Sequence, residues 1–308
     1  MTKSSKNKIY SKIDEILSGT APENIIDGCM VLEGGAFRGV YTSGVLDYLM
    51  TQGINMKCTV GVSAGALNAV NYVSGQIGRS ARANISFRHN SDYVGLGAIK
   101  KNDGIIGFDF IYNELEKSYP LDKGKLYDKR RRVVAVVTNL LTGKAEYIER
   151  DECSDFGQAI RASASMPFVS KPVDVDGIPC LDGGCSCKIP YNCAINEGYK
   201  KIIVIKTRED GFRKANKLNP EQVRVANLIY KDFPEFANAL PYNDIKYNEQ
   251  CDNLDKIRDD GRAFVISPSE PVTIGRLEPD VEKLGALYFL GVEDAKRSFK
   301  ALIKYLEA

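Results

Sequence analysis

A serine between two glycines is the first feature of this sequence that could do covalent chemistry. The pentapeptide is Gly61-Val62-Ser63-Ala64-Gly65, with a short apolar run before it and an alanine-rich run after it. A nucleophile elbow has this pattern, because small neighbours let a serine sit on a sharp turn from strand to helix. The pattern therefore predicts Ser63 as a nucleophile at an elbow shaped by Gly61 and Gly65. The alternative is a serine that only caps a helix.

A second motif, which we call the glycine loop (residues 34–39), could bind an anion. It reads Gly-Gly-Ala-Phe-Arg-Gly and also lies between an apolar run and a helical pattern. Consecutive glycines let backbone N–H groups converge, and the start of the next helix adds positive potential. The glycine spacing does not match a dinucleotide site, and the Gly-Lys-Ser/Thr of a Walker loop is absent. An oxyanion hole is the interpretation that also accounts for Ser63, and an ordinary turn is the alternative.

A serine nucleophile needs a base, and the chain has a single histidine, His89. His89 follows Ser63 by 26 residues in a polar stretch, whereas α/β-hydrolases follow the order serine, acid, histidine. We therefore expect a loop histidine without a catalytic role. Asp182, which stands before Gly183-Gly184, is the alternative base, although such turns are common in loops. A carboxylate is a weak base for a hydroxyl, so this chemistry predicts an apolar site that raises the pKa of Asp182.

The elements that must position these residues alternate between strand and helix. Apolar runs predict buried strands at 27–33, 57–61, 132–138, 201–206 and 263–267, and helical periodicity predicts helices at 40–49, 64–72 and 154–164. Strand, tight turn and helix, repeated, are typical of an α/β fold. We expect a three-layer α/β/α sandwich with a mainly parallel central sheet and a helical C-terminal portion. The strand at 132–138 is β-branched and apolar throughout, which predicts a position in the middle of the sheet.

Changes in sequence character along the chain predict its domain organisation. We expect an N-terminal polar extension at 1–26, a catalytic core at 27–207 and a mainly helical C-terminal region at 208–308 that packs on the core. A formal charge of +2 gives no reason to expect a nucleic-acid partner. The basic run at 123–132 is interpreted as a solvated approach to a strand, with contact to anionic lipid headgroups as the alternative.

Cysteine usage bears on location and on metal binding. Eight cysteines, no long apolar window and no export signal at the N-terminus predict a cytoplasmic protein, with peripheral membrane contact as an alternative. Four of the cysteines cluster around Asp182, namely Cys180, Cys185, Cys187 and Cys193. Their spacing lacks the paired Cys-x₂-Cys of most zinc sites. We therefore expect buried thiols and no metal or other cofactor.

The glycine loop, the elbow and Asp182-Gly183-Gly184, in this order, resemble the motifs of the patatin-like phospholipases over residues 29–207. The resemblance implies a Ser–Asp dyad without histidine, in which Ser63 attacks and Asp182 is the base. It also implies an oxyanion hole at Gly34, Gly35 and Ala36, and a basic residue, Arg38 followed by Gly39, that braces the loop or the lipid phosphate. Ala36 departs from the family pattern, because many members have glycine at this position.

The resemblance implies a serine acyl hydrolase that cleaves acyl esters of lipids through an acyl-enzyme, of the phospholipase A or lysophospholipase type. Two alternatives stay open on the sequence. One is a catalytically idle member that binds a lipid or a partner protein through its C-terminal helices, and the other is an esterase or thioesterase for small substrates. Residues 208–308 match no part of the motif pattern, so the substrate and the oligomeric state are left undecided.

Overall fold

A computed structural model describes residues 9–308, in which strands and helices alternate before a mainly helical final third. The strands are β1 (Gly19–Thr20), β2 (Ile26–Leu32), β3 (Met56–Val62), β4 (Gln76–Ile77), β5 (Arg132–Asn139), β6 (Lys144–Glu149), β7 (Val173–Val175), β8 (Ile178–Asp182), β9 (Ile202–Ile205) and β10 (Phe264–Ile266). The α-helices are α1 (Gly39–Thr51), α2 (Ala64–Val73), α3 (Arg79–Ser86), α4 (Leu96–Asn102), α5 (Glu116–Ser118), α6 (Lys123–Leu126), α7 (Phe156–Ser163), α8 (Tyr191–Asn196), α9 (Pro220–Ile229), α10 (Pro234–Ala239), α11 (Asn243–Asp259) and α12 (Val281–Glu307). The strands and helices predicted from periodicity are confirmed.

The central sheet is mainly parallel. Strands β10, β9, β2, β3 and β5 lie side by side in that order and all run parallel. Strand β6 pairs antiparallel with β5, β8 pairs antiparallel with the C-terminal half of β5, and β7 pairs with β8. Helices cover both faces, with α1, α2 and α12 on one and α8 and α11 on the other. The α/β fold class expected from the sequence is confirmed.

Strand β5 shows why both faces of the sheet are apolar. Val133, Ala135 and Val137 pack into the core on one face, and Val134 and Val136 pack into the core on the other. A strand buried on both faces has no polar side, which explains its uniform composition. As expected, β5 lies inside the sheet, with β3 and β8 on one edge and β6, the strand that follows it, on the other.

The register of β5 brings the ends of β3 and β8 together. Val137 pairs with β6 on one edge of β5 and with Asp182 of β8 on the other. Val136 likewise pairs with β6 on the first edge and with Val62 of β3 on the second. Strands β3 and β8 therefore share one edge of β5 and run towards each other. Their C-terminal ends meet opposite successive residues of β5, and this meeting point holds the candidate site.

Residues 208–308 contribute to the core as well as to the surface. Strand β10 extends the parallel sheet beside β9, and α12 lies along α1. The two helices are so close that a Cβ atom on Gly44 would collide with the Tyr288 carbonyl oxygen. Tyr288 also donates its hydroxyl to buried Asp47 at 2.9 Å. Within residues 9–308, every helix is too short or too polar to cross a membrane.

The expected N-terminal extension is only partly described, since residues 1–8 lie outside the described residues. Tyr10 and Ile16, from its remaining part, are buried in the main core. In the basic run at 123–132, Lys123, Lys129 and Arg130 are exposed, as expected of a solvated segment, whereas the last two arginines are buried or half-buried. Arg131 is buried and donates to backbone carbonyls of β3 and α2, and Arg132 forms ion pairs with acidic neighbours. The fold itself uses these two side chains.

Candidate active site

The turn after β3 is a strained elbow with Ser63 at its apex. Ser63 has φ 57° and ψ −124°, a conformation that a residue with a side chain rarely adopts, and it is largely buried. A Cβ atom on Gly61 would collide with the Gly65 carbonyl oxygen, and one on Gly65 would collide with that of Leu32. Only glycine fits at these two positions. The structure thus places Gly61, Ser63 and Gly65 together at the turn between β3 and α2.

The Ser63 hydroxyl meets the predicted acid directly. Its Oγ donates a hydrogen bond to Oδ2 of Asp182 at 2.7 Å. The second carboxylate oxygen, Oδ1, accepts from the Gly184 N–H at 2.7 Å, and the Asp182 carbonyl accepts from the Thr138 hydroxyl at 2.9 Å. Both oxygens and the backbone of the acid are therefore fixed, so the carboxylate faces the serine in one orientation.

Two serines, one at the end of α7 and one just after it, hold the pair in place, and the sequence analysis missed them. The Ser63 N–H donates to Ser163 Oγ at 2.9 Å, and Ser163 Oγ donates to the Val136 carbonyl at 2.6 Å. The Asp182 N–H donates to the Ser165 carbonyl at 2.9 Å. The segment thus ties β5, the elbow and β8 together. Its run of small residues at 162–165 is the signal that could have pointed to it.

The acid has an unusual proton affinity for an aspartate. Burial raises the pKa of Asp182 to about 6, because the carboxylate has lost most of its water. Hydrogen bonds from Ser63 and Gly184, together with the charges of Arg276 and Lys188, act in the opposite direction and limit the rise in the pKa. The direction agrees with the expectation from the chemistry of a carboxylate base.

The glycine loop lies directly against the elbow. A Cβ atom on Gly34 would lie 3.2 Å from Ser63 Cβ, and Ala36 has φ 50°, in the left-handed region. The Gly34 N–H donates to the Lys188 carbonyl at 3.3 Å. Within residues 9–308, the N–H groups of Gly35 and Ala36 have no acceptor. Two backbone donors beside Ser63 are therefore free to bind an anion.

A buried carboxylate, Glu33, supports this loop from behind. It accepts a hydrogen bond from the Thr207 N–H, and the Thr207 hydroxyl donates to the Gly34 carbonyl at 3.1 Å. A Cβ atom on Gly35 would lie 2.7 Å from the Thr207 oxygen, so only glycine fits beside this side chain. Burial raises the pKa of Glu33. No motif in the sequence marks Glu33, because its role arises from contact with the end of β9.

Arg38 and Gly39 follow the loop with different roles in the fold. The Arg38 guanidinium lines the cavity at Ser63, and its Nε atom is buried without a hydrogen-bond partner among residues 9–308. Burial and the neighbouring charges of Arg208 and Arg276 lower the pKa of Arg38 to about 10. Gly39 permits close packing of α1 on α2, since a Cβ atom there would lie 2.8 Å from the Ala64 Cβ.

Two cavities of different character meet at Ser63. One, which we call the polar chamber because seven charged side chains line it, has a volume of about 150 Å³ and contains Asp182 and the glycine loop. The other is mainly apolar, measures about 40 Å³ and is bordered by Phe37, Leu67 and Tyr93. Leu67 and Tyr93 also border a third, mainly apolar cavity of about 380 Å³. Ser63 thus lies between a polar chamber and an apolar passage.

Comparison of the sequence with models of known protein families shows the family to which the chain belongs. A family model described as patatin-like phospholipase matches residues 30–195, more than half of the chain. The chain belongs to this family. A second family model, described as a domain of unknown function (DUF6363), matches residues 233–307 and so covers much of the C-terminal region of this patatin-like protein.

Several known proteins are similar to this patatin-like chain along most of its length. The Escherichia coli protein YjjU is 27% identical over 284 residues, which cover 85% of this chain and 76% of YjjU. The NTE family protein Rv2565 of Mycobacterium tuberculosis is 25% identical over 86% of this chain, which spans 44% of that protein. The probable lipid hydrolase 463L of invertebrate iridescent virus 6 is 24% identical over 56% of this chain and 64% of its own length. VipD from Legionella pneumophila, a solved structure, aligns with a TM-score of 0.47 and 15% identity over 98% of this chain and 72% of VipD.

The remaining candidates from the sequence lie apart from the patatin-like site or have partners of their own. His89 is exposed, and its Nε2 lies 2.8 Å from the Pro279 carbonyl oxygen. Cys185 borders the polar chamber, Cys187 contacts Gln250, and the described residues 9–308 contain no group of His, Cys, Asp or Glu side chains that could hold a metal ion.

Proposed function

We propose that this protein is a serine acyl hydrolase of lipids, of the phospholipase A or lysophospholipase type, with Ser63 as nucleophile and Asp182 as base. The observation that carries the proposal is the 2.7 Å hydrogen bond from Ser63 Oγ to Asp182 Oδ2 at a buried elbow. Membership of the patatin-like phospholipase family and similarity to a probable lipid hydrolase support hydrolysis of lipids.

In the first half-reaction, Ser63 Oγ attacks the ester carbonyl carbon while its proton passes to Asp182 Oδ2. A base with a pKa of about 6 is mostly ionised at neutral pH, yet it binds a proton more tightly than an ordinary aspartate. The N–H groups of Gly35 and Ala36, which are free of acceptors within residues 9–308, would donate to the oxyanion. One such donor contributes about 3 to 4 kcal/mol. Gly34 allows the loop to approach the serine.

The first half-reaction ends when the ester C–O bond breaks, Asp182 gives the proton to the leaving alcohol oxygen, and the acyl group stays on Ser63 Oγ. In the second half-reaction, Asp182 takes a proton from water. The resulting hydroxide attacks the acyl carbon, the bond to Ser63 Oγ breaks, and the serine recovers its proton from Asp182. Every step uses one carboxylate and no histidine. The fixed contact of Asp182 Oδ1 with the Gly184 N–H would keep Oδ2 facing the serine in both half-reactions.

The apolar passage supports a lipid acyl group over a small soluble ester. It begins at Ser63, and Leu67 and Tyr93, which border it, also border the cavity of about 380 Å³. An acyl chain in this passage would leave water for an apolar surface, which favours binding roughly in proportion to the buried area. We keep 27–207 as the catalytic core, because it contains every group of this mechanism, and we propose a cytoplasmic location because the eight cysteines are free thiols.

The test combines labelling by a fluorophosphonate probe with hydrolysis of a short-chain p-nitrophenyl ester. We expect Ser63→Ala to abolish both, and Asp182→Asn to slow both by a hundredfold to about ten thousandfold, the usual worth of a general base. The matched controls, Ser86→Ala and Asp259→Asn, change the same residue types on the surface and should react like the wild type. Normal labelling of a folded Ser63→Ala protein would refute the proposal.

A further inference from the structure

Five cationic side chains line the polar chamber beside Ser63, and they outnumber the carboxylates that line it. They are Arg38, Lys188, Arg208, Lys214 and Arg276. We call the part of the polar chamber that they line the cationic chamber. The carboxylates that line the same cavity are Glu33 and Asp182, and both already accept hydrogen bonds from the protein. Clustered like charges repel one another strongly where water is scarce. The chamber therefore favours a multiply charged anion.

The two lysines are poorly solvated and share one counter-charge. The exposed fractions of their side chains are 13% for Lys188 and 17% for Lys214. Both approach Asp244, Lys214 at 2.7 Å and Lys188 at 3.6 Å. Burial and the nearby charge of Lys214 lower the pKa of Lys188 to about 7. An anion in the chamber would supply the negative charge that these lysines lack.

The arginines offer hydrogen-bond donors that the protein does not use. Arg38 is half-buried and Arg276 is exposed, and the side chains of both lack a hydrogen-bond or ion-pair partner among residues 9–308. Arg208 is held in place, since it donates to the Val272 carbonyl and its guanidinium lies 4.5 Å over the Phe212 ring. Planar guanidinium groups with free N–H donors bind phosphate oxygens in pairs.

The position of the chamber determines which part of a substrate would enter it. The polar chamber and the apolar passage meet at Ser63, Ala36 and Met166. With an acyl chain in the passage and its carbonyl at Ser63, the alcohol half of the ester must extend into the chamber. A quaternary ammonium headgroup would meet five like charges there, whereas a phosphate would meet five opposite ones.

We propose that the cationic chamber binds a phosphate on the alcohol half of the ester, so that the preferred substrates are acyl esters of alcohols with a terminal, doubly charged phosphate. This specificity rests on the proposed acyl hydrolase function. Arg208, Lys214 and Arg276 lie outside the residues 30–195 matched by the patatin-like family model. The C-terminal third would therefore select the headgroup, while the patatin-like core cleaves the ester.

Hydrolysis of matched substrates tests the preference. The probes are oleoyl lysophosphatidate, 1-oleoylglycerol and oleoyl lysophosphatidylcholine, and we expect kcat/KM for the phosphate monoester to exceed the other two at least about tenfold. Hexanoyl glycerol 3-phosphate has the same phosphate but stays in solution. Its kcat/KM therefore shows whether the chamber selects a soluble phosphate ester or only the headgroup of a lipid. Similar kcat/KM values for phosphate-bearing and neutral substrates would overturn the inference and leave the hydrolase function intact.

Two variants test the chamber itself. Arg276→Gln and Lys214→Gln should each lower the ratio of kcat/KM between lysophosphatidate and oleoylglycerol by about tenfold, since each removes one charge-assisted contact to phosphate. Arg224→Gln makes the same change of charge on the exposed surface of α9 and should leave the ratio unchanged. If neither Arg276→Gln nor Lys214→Gln lowered the ratio relative to the control, the result would contradict a phosphate site at this position.

Binding without turnover separates the two proposals. Ser63→Ala protein should bind lysophosphatidate at least about tenfold more tightly than oleoylglycerol in a titration, and Arg276→Gln in the same background should remove the difference. Tight, phosphate-dependent binding by a wild-type protein that hydrolyses nothing would refute the hydrolase function and uphold the chamber. Equal binding of both lipids would refute the chamber whatever the activity.

Discussion

The buried acid makes the pH dependence of activity a direct test of the site. Burial raises the pKa of Asp182 from the ordinary 3.8 to about 6. Each pKa unit corresponds to about 1.4 kcal/mol, so the site as a whole, with burial partly offset by hydrogen bonds and positive charges, disfavours the carboxylate by about 3 kcal/mol relative to the neutral acid. The base must be ionised to accept the Ser63 proton. Activity should therefore be half-maximal near pH 6, level off above about pH 7 and fall about tenfold per pH unit below about pH 5.

Two assays measure this acid limb in the free enzyme. They are kcat/KM for a p-nitrophenyl ester and the second-order rate of fluorophosphonate labelling, each followed from about pH 4 to about pH 9. In Lys188→Met the limb should move to higher pH, because the positive charge of Lys188 helps to keep the Asp182 carboxylate ionised. Lys144→Met, a change on the exposed end of β6, should leave it in place. An acid limb below about pH 5 in both assays would refute a raised pKa.

The interface between α1 and α12 provides two further predictions about stability. Gly44→Ala should lower the free energy of unfolding by about 1 to 3 kcal/mol, because its Cβ would collide with the Tyr288 carbonyl. Gly275→Ala, where a Cβ meets open space, is the control, and equal melting temperatures would contradict the prediction. Burial raises the pKa of Asp47 to about 7, so the folded protein holds this proton more tightly than the unfolded chain, and stability declines as the pH rises from about 4 to about 7. In Asp47→Asn, the free energy of unfolding should decline less between about pH 5 and about pH 8 than in the wild type, as urea unfolding at these two pH values would show.

The local motifs were predictable because their chemistry and their backbone requirements lie within a few residues. The elbow needs glycines at 61 and 65, and the structure shows the collisions that any other residue would cause there. The buried strands were predictable from apolar runs. The strand at Lys144–Glu149 was not predicted, because it alternates charged and apolar residues at the rim of the sheet and resembles a loop.

The parts that sequence patterns could not supply arise from distant contacts. The approach of Asp182 to Ser63 depends on β3 and β8 sharing one edge of β5, which no local pattern indicates. Arg208, Lys214 and Arg276 reach the chamber because β9 and the segments after it lead back past the glycine loop. Charged residues in a polar region usually mark solvent-exposed surface, so these three gave no signal before the fold was known.

The position of β10 beside β9 has a consequence for folding of this protein during its synthesis. Strand β9 ends at Ile205, whereas its neighbour on the outer side begins at Phe264. During synthesis the outer edge of β9 therefore stays unpaired until residues 206–263 and then β10 have left the ribosome. An open strand edge is a template for pairing with another chain, and nascent chains with such edges are substrates for chaperones. For this topology, the vulnerable moment is the interval before β10 arrives, when aggregation competes with completion of the sheet.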